Sequence, residues 1–215
     1  MSESARTKFI AAGEKLYPEL GYSKLSVRLA AEAELSSGMF HHLFENKDVF
    51  MLEMFRHYNI TAFGRLDFAD VPNEPFARLY YAAFAIAQSV RDNLLFIQRI
   101  FTDSADNIAI ANEFLKSEME ERTRVIVGLL EECAAIDDGV PTATIQRLGY
   151  LSSAVIAPMV LGTRFNSMEL LSDELSQNVG ALLTDEAISQ RLEWAVCAMF
   201  PSRLECVGIR PDRKK

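Results

Sequence analysis

The side chains that most often carry out catalysis are few in this chain and far apart. The histidines are His41, His42 and His57, and the cysteines are Cys133, Cys197 and Cys206. These positions predict no Ser/His/Asp or Cys/His arrangement, and the chain has neither a Gly-rich phosphate-binding loop nor a Glu-x-x-His pair. His41 and His42 would point about 100° apart on a helix and lack a third ligand. The sequence therefore predicts no enzyme, no cofactor and no metal site.

The stretch Ser26–Lys47 favours chemistry of another kind. It predicts two short helices separated by a tight turn around Glu34, which is a helix-turn-helix unit packed on a preceding helix. The second helix of such a unit presents small or polar residues at its N-terminal end and apolar residues toward the scaffold. Ser36–Gly38 meet the first requirement, and Phe40 and Phe44, four positions apart, meet the second. The pattern predicts a DNA-reading helix.

The remaining side chains of that helix are predicted to face outward. They are Ser37, Met39, His41 and His42, with Leu43 of undecided facing. Lys47, at the start of the next helix, is placed to hold a phosphate. Met39 is either an apolar base contact or an exposed spacer, and the whole stretch has the alternative interpretation of an amphipathic cap without a DNA role.

The elements around this unit are predicted to be helical throughout. Apolar residues recur at helical spacing, β-branched alternation is nearly absent, and about nine helices are expected. The helix boundaries with the clearest signals are a stop at Gly21, starts near Ser26 and Ser36, a long helix from Asn46 to about Asp70, another from Val140 to about Phe165 with a kink at Pro158, and a final helix between Thr184 and Pro201. The predicted fold class is all-α.

Composition sets the class of the chain and its expected compartment. Its 215 residues are 49% hydrophobic and 24% charged, which excludes disordered, collagen-like and disulfide-scaffold classes. Apolar runs fall short of the ~20 residues of a membrane helix, and residues 1–8 have no apolar export segment. With an odd number of cysteines, the expectation is reduced thiols and a cytoplasmic protein without a membrane partner.

Charge is distributed unevenly along the chain. The net charge is −8, yet residues 1–47 hold six Lys or Arg and six acidic side chains. The other 168 residues hold 16 basic and 24 acidic side chains, so all of the excess negative charge lies there. A near-neutral head, residues 1–47, and an acidic body, residues 48–215, are therefore expected.

The head resembles the DNA-binding domain of the TetR (tetracycline-repressor-like) transcriptional regulators. The matching pieces are Ala5-Arg6 before Ile10-Ala11-Ala12, Leu16-Tyr17 with Gly21-Tyr22, Ser26-Val27-Arg28, and Ser36-x-Gly38 with His42-x-Phe44-x-x-Lys47. The last set is the most specific, because residue type, spacing and position from the N-terminus all agree. By motif the resemblance covers about a quarter of the chain; the remainder is similar in length and helical character.

The resemblance implies an N-terminal three-helix helix-turn-helix DNA-binding domain over residues 1–47. It also implies a C-terminal helical-bundle domain for ligand binding and dimerisation over residues 48–205, followed by a flexible basic tail, 206–215. Residues implied to contact DNA are Ser26, Arg28, Ser37, Gly38, Met39, His41, His42 and Lys47. Among these, Ser26 would touch a phosphate, Arg28 would lie near the DNA from the second helix, and Lys47 would hold the backbone.

Four features depart from the family pattern. Met39-Phe40-His41 stands where Thr-Leu-Tyr is usual, and the segment between Ser26 and Leu29 is one residue short. Glu34 replaces a turn glycine, so either it adopts a positive φ or the turn differs, and it adds negative charge near the DNA face. Pro18 lies inside the first helix, where proline costs ~3 kcal/mol unless the helix bends or ends.

The body offers candidate residues for dimerisation and for a ligand. Because helix-turn-helix proteins bind palindromes as two-fold dimers, the last two long helices are the candidate interface. The interface residues predicted there are Gly149, Ser152, Ala157, Leu192, Ala195, Val196 and Met199. A small-molecule pocket between the middle helices is implied by the family resemblance, lined by aromatic, Met and Arg residues: Phe63, Tyr80, Phe84, Arg99, Phe101, Met119, Arg122, Met159 and Phe165. Each pocket residue has the alternative role of packing in the core.

The sequence thus predicts a homodimeric, ligand-responsive transcriptional regulator that acts as a repressor on a double-stranded DNA operator. A small-molecule effector would favour the state in which the recognition helices are wrongly spaced. The alternative is a helical dimer whose degenerate head acts through protein contacts, as Glu34 and Met39 suggest. A bundle enzyme is the third and weakest interpretation, because no acid/base or metal constellation supports it.

Overall fold

The computed structural model describes residues 2–64, 66–137, 139 and 141–202. These residues are 82% helical and contain no strand, which confirms the all-α prediction. The α-helices are α1 (Ser2–Glu32), α2 (Ser37–Leu43), α3 (Lys47–Tyr58), α4 (Pro75–Asp92), α5 (Leu94–Ala105), α6 (Ala109–Ala135), α7 (Thr144–Val155), α8 (Ala157–Ser167), α9 (Asp173–Asn178) and α10 (Asp185–Met199). A π-helical turn follows α3 over Asn59–Phe63, and a 3-10 turn precedes α10 over Val179–Leu183. The predicted tail, 206–215, lies outside the described residues.

Polar residues start several helices in the way their types predict. In each case the side-chain oxygen accepts a hydrogen bond from the backbone N–H three residues on, which satisfies one of the donors that a helix N-terminus leaves open. The pairs are Ser36 with Met39 at 3.3 Å, Asn46 with Val49 at 2.9 Å, Ser172 with Leu175 at 3.5 Å and Thr184 with Ala187 at 3.1 Å. The predicted starts near Ser36, Asn46 and Thr184 are confirmed.

Three predicted helix boundaries were wrong. The second helix does not begin at Ser26, because α1 resumes directly after a kink at Gly21 (φ 64°, ψ −177°) and Ser26 lies inside it. The helix from Asn46 ends at Tyr58 rather than near Asp70, because the backbone widens into a π-helical turn over Asn59–Phe63 and Gly64 follows with φ 55°. These are tertiary and backbone effects that apolar spacing does not record.

The third correction concerns the predicted helix from Val140 to Phe165. The kink predicted at Pro158 is confirmed, but it divides the helix into α7 and α8 at Ile156, with the two segments bent by 45°. Pro158 has no N–H to donate and its ring would clash with a carbonyl of the preceding turn, so it is accommodated in the first turn of α8. Among the described residues no single helix is long and apolar enough to cross a bilayer, and only this bent pair meets that criterion of length and composition.

The described residues form two compact units. Unit 1 lies within Met1–Arg65 and Asn93–Glu120, and unit 2 lies within Leu66–Asp92 and Glu121–Lys215. These bounds follow helix packing, whereas the predicted boundaries at residues 47 and 205 describe functional segments, and that division stays a prediction. Helix α5 packs on α1 in unit 1, which extends the unit beyond the head.

Each unit has its own apolar core. In unit 1 an aromatic cluster of buried residues joins α1, α2, α3, α5 and α6: Phe9, Tyr17, Phe44, Phe50, Phe55, Phe96 and Phe114. Phe96 also stacks on Tyr58, with ring centroids 3.6 Å apart and an interplanar angle of 7°. In unit 2, α10 packs on α7 and α4 around the fully buried side chains Leu79, Leu130, Ile188, Leu192 and Phe200. Burial of this kind is the main driving force for holding helices together.

Candidate nucleic-acid interface

The turn before α2 is a Schellman motif with an unusual residue at its key position. Leu35 N–H donates to Ala30 O at 3.0 Å and Glu34 N–H donates to Ala31 O at 3.1 Å, the paired bonds that close such a helix end. Glu34 occupies the position where glycine is favoured, with φ 55°, and its side chain is exposed. The first of the two alternatives left open by the sequence is therefore the one adopted.

Helix α2 is anchored by aromatic rings on its inner side. Phe44 is buried and Phe40 is half-buried. Phe40 lies 5.5 Å from Phe9 of α1 and 5.3 Å from Phe50 of α3, and Phe44 lies 5.0 Å from Phe50, all with edge-to-face geometry. Such pairs add to the free energy of apolar burial. The predicted inner face of α2 is thus confirmed.

Arg6 fixes the C-terminal end of α2. Its Nη1 donates to the Leu43 carbonyl at 2.8 Å, its Nε donates to Glu53 Oε1 at 2.6 Å, and its guanidinium lies 4.6 Å from the Phe44 ring centroid. The hydrogen bond with Glu53 raises the pKa of Arg6. One side chain of α1 therefore holds the C-terminal end of α2 against α3.

The outer side of α2 is open to solvent. Of the eight residues predicted to contact DNA, seven are exposed: Ser26, Arg28, Ser37, Gly38, Met39, His41 and His42. Met39 is 38% exposed, and a Cβ added at Gly38 would meet only the Ser36 hydroxyl, at 4.0 Å. The structure thus places these residues on the surface of α1 and α2 within one unit. Their contact with DNA stays a prediction.

Lys47 is the one predicted contact that is half-buried. Its ammonium lies 3.9 Å from the centroid of the Tyr22 ring, a cation–π arrangement, and burial lowers the pKa of Lys47. The Tyr22 hydroxyl donates to Asp48 Oδ1 at 2.6 Å, and this bond is the main reason that the pKa of Tyr22 is raised to about 12. The lysine is therefore held at the start of α3 by an aromatic ring from α1.

A buried acid that the sequence analysis did not single out supports the kink in α1. Asp103 of α5 is 5% exposed and accepts hydrogen bonds from the Tyr17 hydroxyl at 2.7 Å and from Tyr22 N–H at 2.8 Å. Burial is the first cause of the raised pKa of Tyr17, and the hydrogen bond to Asp103 is the second. The only sequence signal is that Asp103 continues the buried spacing of Phe96 and Ile100 on α5.

Arg99, predicted as a polar group of a ligand pocket, lies beside this acid. Its Nε donates to the Pro18 carbonyl at 3.3 Å and its Nη2 donates to the Glu19 carbonyl at 2.9 Å. These carbonyls belong to the last turn before Gly21, so Arg99 closes the helix end that Pro18 and the kink create. In this structure its guanidinium therefore serves packing between α5 and α1.

The other predicted pocket residues are distributed over both units. Phe101 and Met119 of unit 1 are 47% and 55% exposed, and Phe165 of unit 2 is 41% exposed. In unit 2, Met159 is fully buried and Arg122 is half-buried. The ring of Tyr80 stacks on that of Phe84, with centroids 6.1 Å apart. The Tyr80 hydroxyl forms a hydrogen bond with the Ser189 hydroxyl. The side chain of Phe63 is outside the described part of the structure. A shared ligand pocket for this set stays a prediction.

The predicted interface residues divide by exposure. Leu192 and Ala195 of α10 are buried in the core of unit 2, because α10 packs on α7 and α4 through that side. Gly149 and Ser152 of α7 are exposed, and the half-buried members are Ala157, Val196 and Met199. Exposed apolar side chains on α7 and α10 are Ile145 (71%), Tyr150 (48%) and Trp194 (56%).

Comparison with known proteins identifies the fold. The chain matches no protein-family model and no curated protein sequence. It is similar to the solved structure of an HlyIIR mutant carrying a linker with two thrombin sites, at 16% identity and a TM-score of 0.61, over 84% of this chain and 98% of that one. A second HlyIIR mutant, with a GSSGSSG linker, gives 17% identity and a TM-score of 0.59, over 84% of this chain and 96% of that one.

These observations define an all-α protein whose fold is similar to that of HlyIIR. At 16% and 17% identity the likeness is one of fold alone. The positions of α1 and α2 agree with the helix-turn-helix unit that the sequence predicts over Ser26–Lys47.

Proposed function

We propose that this chain is a ligand-responsive transcriptional regulator that binds a palindromic operator as a homodimer and releases it when a small molecule binds. The observation that carries the proposal is the two-sided character of α2. Its inner side is fixed by Phe40, Phe44 and Arg6, while Ser37–Met39 and the two histidines lie on its exposed side. A short rigid helix with small and polar outward residues is the element that reads a major groove.

The chemistry of the exposed residues supports contact with DNA. Hydroxyl and imidazole groups of Ser37, His41 and His42 suit base edges and phosphates, and the Met39 methyl suits a thymine methyl. Arg28 and Lys47 supply the positive charge for the sugar-phosphate backbone.

Internal pairing of the acidic groups supports the same proposal, because the head has no net charge by composition. Within the head, Glu32 pairs with Lys15 and Glu19 lies 3.8 Å from Arg28, and Glu53 of α3 pairs with Arg6. Glu34 and Glu45 are the exposed acids that flank the proposed reading helix. Since paired carboxylates project less negative field than lone ones, repulsion of DNA by the head is reduced.

The proposed dimer uses α7 and α10. Gly149 and Ser152 provide a small-residue surface that allows close approach of a second helix, and Ile145, Tyr150 and Trp194 provide exposed apolar area beside it. A two-fold dimer presents two recognition helices to two half-sites, which one helix-turn-helix unit alone does not. Repression is proposed from the resemblance of the head to the tetracycline-repressor-like regulators, and such a regulator would act in the cytoplasm without an enzymatic activity.

DNA binding is tested by fluorescence anisotropy with duplexes from the flanks of the chain's own gene and with scrambled duplexes, at two salt concentrations. Selective binding is expected, with a log K slope of about −0.9 for each phosphate neutralised. Arg28→Ala and Lys47→Ala should each weaken binding to all duplexes and reduce that slope by about 1. Lys116→Ala, an exposed lysine on α6, is the control and should change neither.

Dimerisation is tested separately by sedimentation. Gly149→Gln should shift the chain toward monomer, because its side chain would occupy the proposed contact, while the folded unit has open space around this Cβ position. Gly128→Gln on α6 is the matched control, because a Cβ there also meets nothing within 4 Å. Equal sedimentation of both variants and the unchanged chain would remove α7 from the proposed interface.

A second candidate function is a helical dimer whose head binds protein instead of DNA. The exposed Glu34 carboxylate and the exposed Met39 side chain favour it, because neither donates a hydrogen bond to a phosphate. Binding to operator duplexes no stronger than to scrambled ones, with no effect of Arg28→Ala or Lys47→Ala, would favour this candidate.

A further inference from the structure

Unit 2 contains an open cleft between the start of α7 and the end of α10. Its volume is about 430 Å³, within the range of small-molecule sites. The lining residues are Thr142, Gln146, Arg147, Tyr150, Ala198 and Met199. None of them belongs to the DNA-contacting set. Met199 was predicted for the dimer interface and Tyr150 belongs to the exposed apolar area proposed beside it, so the cleft adjoins the proposed dimer face.

Arg147 is the unusual member of this lining. It is 7% exposed and shares the buried face of α7 with Leu151 and Val155, at positions i, i+4 and i+8. Its guanidinium lies 5.0 Å from the centroid of the Phe200 ring. Within the part of the chain that the structure describes, it makes no ion pair, and its buried Nε has no hydrogen-bond partner.

A buried cation without an anion is energetically unfavourable. Taking a guanidinium out of water is compensated only when a carboxylate and further hydrogen bonds replace the lost hydration, and contact with an aromatic ring replaces only part of it. A buried polar group left unsatisfied in a folded protein calls for an explanation, and a bound ion or ligand is one. Because Arg147 also lines the cleft, a ligand in the cleft is able to supply the missing charge.

We propose that this cleft binds a small organic carboxylate with an apolar body. The planar fork of Arg147 pairs with a carboxylate through two parallel hydrogen bonds, and one guanidinium balances one negative charge. Ala198 and Met199 give the apolar wall for the body of the ligand, and the ring of Tyr150 gives a face for stacking. The cleft belongs to unit 2 and α2 belongs to unit 1, so the inference does not depend on DNA binding.

The test uses benzoate as the probe, with benzamide as its uncharged counterpart and inorganic phosphate as a second anion. Binding is followed by the fluorescence of Trp194, the single tryptophan, which lies one helical turn from Ala198 on α10. We expect saturable binding of benzoate that is stronger than that of benzamide and phosphate by about tenfold or more, as for loss of one charge-assisted pair.

The variants separate binding from folding. Arg147→Met should lower benzoate affinity by about tenfold to a hundredfold, and Arg147→Lys by less, because it keeps the charge but not the fork. Arg164→Met, which removes an exposed arginine of α8 in the same unit, is the control and should bind benzoate as the unchanged chain does. In the absence of benzoate, Arg147→Met should unfold at a higher Tm, because it removes an uncompensated buried charge.

Four outcomes of the binding and unfolding measurements would overturn the proposal. They are no saturable benzoate binding by the unchanged chain, equal binding of benzamide or phosphate, unaltered benzoate binding by Arg147→Met, and a lower Tm for that variant. A change of sedimentation in Arg147→Met would also overturn it, since the guanidinium would then face a second copy of the chain rather than a small molecule. Loss of DNA binding in any experiment leaves these outcomes unchanged.

Discussion

The kink of α1 depends on one buried carboxylate, and the substitution Asp103→Ala tests how much. Asp103 accepts hydrogen bonds from the Tyr17 hydroxyl and from Tyr22 N–H, at 2.7 Å and 2.8 Å. Tyr17 is fully buried. Alanine would leave both donors without an acceptor in the interior of unit 1, since water does not reach the Tyr17 hydroxyl.

The expected cost follows from counting the stranded donors. Each buried donor left unsatisfied costs about 1–3 kcal/mol, so the two together give a loss of about 2–6 kcal/mol in the free energy of unfolding. Asp103→Asn keeps an oxygen for Tyr22 N–H and should lose only about 1–2 kcal/mol. Tyr17→Phe removes a donor rather than an acceptor, leaves Asp103 bound to Tyr22, and should also lose about 1–2 kcal/mol.

The assay is urea unfolding followed by circular dichroism. The double variant Tyr17→Phe/Asp103→Ala should lose less free energy of unfolding than the sum of the two single losses, because phenylalanine at position 17 has no hydroxyl that lacks an acceptor. Asp106→Ala, an exposed residue at the end of the same helix, is the control and should change stability by about 0.5 kcal/mol or less. A loss below about 1 kcal/mol for Asp103→Ala, or strict additivity in the double variant, would refute the reasoning.

Three further predictions concern backbone strain and alkaline pH. Gly21→Ala should lower the free energy of unfolding by about 2 kcal/mol or more, since φ is 64° and the added Cβ would meet side-chain atoms at 2.8 Å and 2.9 Å. Gly128→Ala, where the Cβ would lie in open space, should raise it by about 0.5–1 kcal/mol. Equal urea midpoints for the two variants would contradict this prediction. Glu34→Gly should raise the free energy of unfolding by about 1 kcal/mol, because glycine adopts a φ of 55° without strain. It should also strengthen duplex binding in the anisotropy assay, because it removes a negative charge. An unchanged urea midpoint would show that Glu34 is not strained. The pKa of Tyr22 in the folded chain is about 12, raised from the unfolded value of about 10 mainly by the hydrogen bond to Asp48. The stabilising contribution of Tyr22 is therefore complete below about pH 10 and is lost as the pH rises through about 12. Urea midpoints measured across that range should fall with pH, and the fall should be smaller in Tyr22→Phe.

Local chemistry made the head of this chain predictable from its sequence. Ser36 begins α2 because its hydroxyl caps a backbone N–H three residues away, and the Phe40–Phe44 spacing fixes which side of α2 is buried. The two alternatives for Glu34 came from the geometry of a helix end, and the positive φ is now known. These features depend on residues close together in sequence, so spacing and residue type were sufficient.

Features that depend on distant partners were not predictable in the same way. Asp103 lies 86 positions from Tyr17, and nothing in the spacing of α5 says which groups will face it. Arg99 was assigned to a ligand pocket because a charge inside an apolar run is unusual, but its partners are carbonyls 80 and 81 positions away. The early end of α3 at Tyr58 also escaped prediction, since apolar residues continue beyond it.

Two charged residues at apolar positions of helices illustrate how such residues can be assigned once a structure is known. Asp103 and Arg147 are both more than nine-tenths buried, and each continues an apolar helical face. Asp103 has two hydrogen-bond donors in place, so its negative charge contributes to folding and its removal should destabilise the chain. Arg147 has an aromatic ring and an open cleft but no carboxylate among the described residues, so its removal should stabilise the chain and cost ligand affinity. Removal of Asp103 and removal of Arg147 should therefore change the free energy of unfolding with opposite signs. That difference distinguishes a carboxylate that stabilises the fold from a guanidinium that binds a ligand.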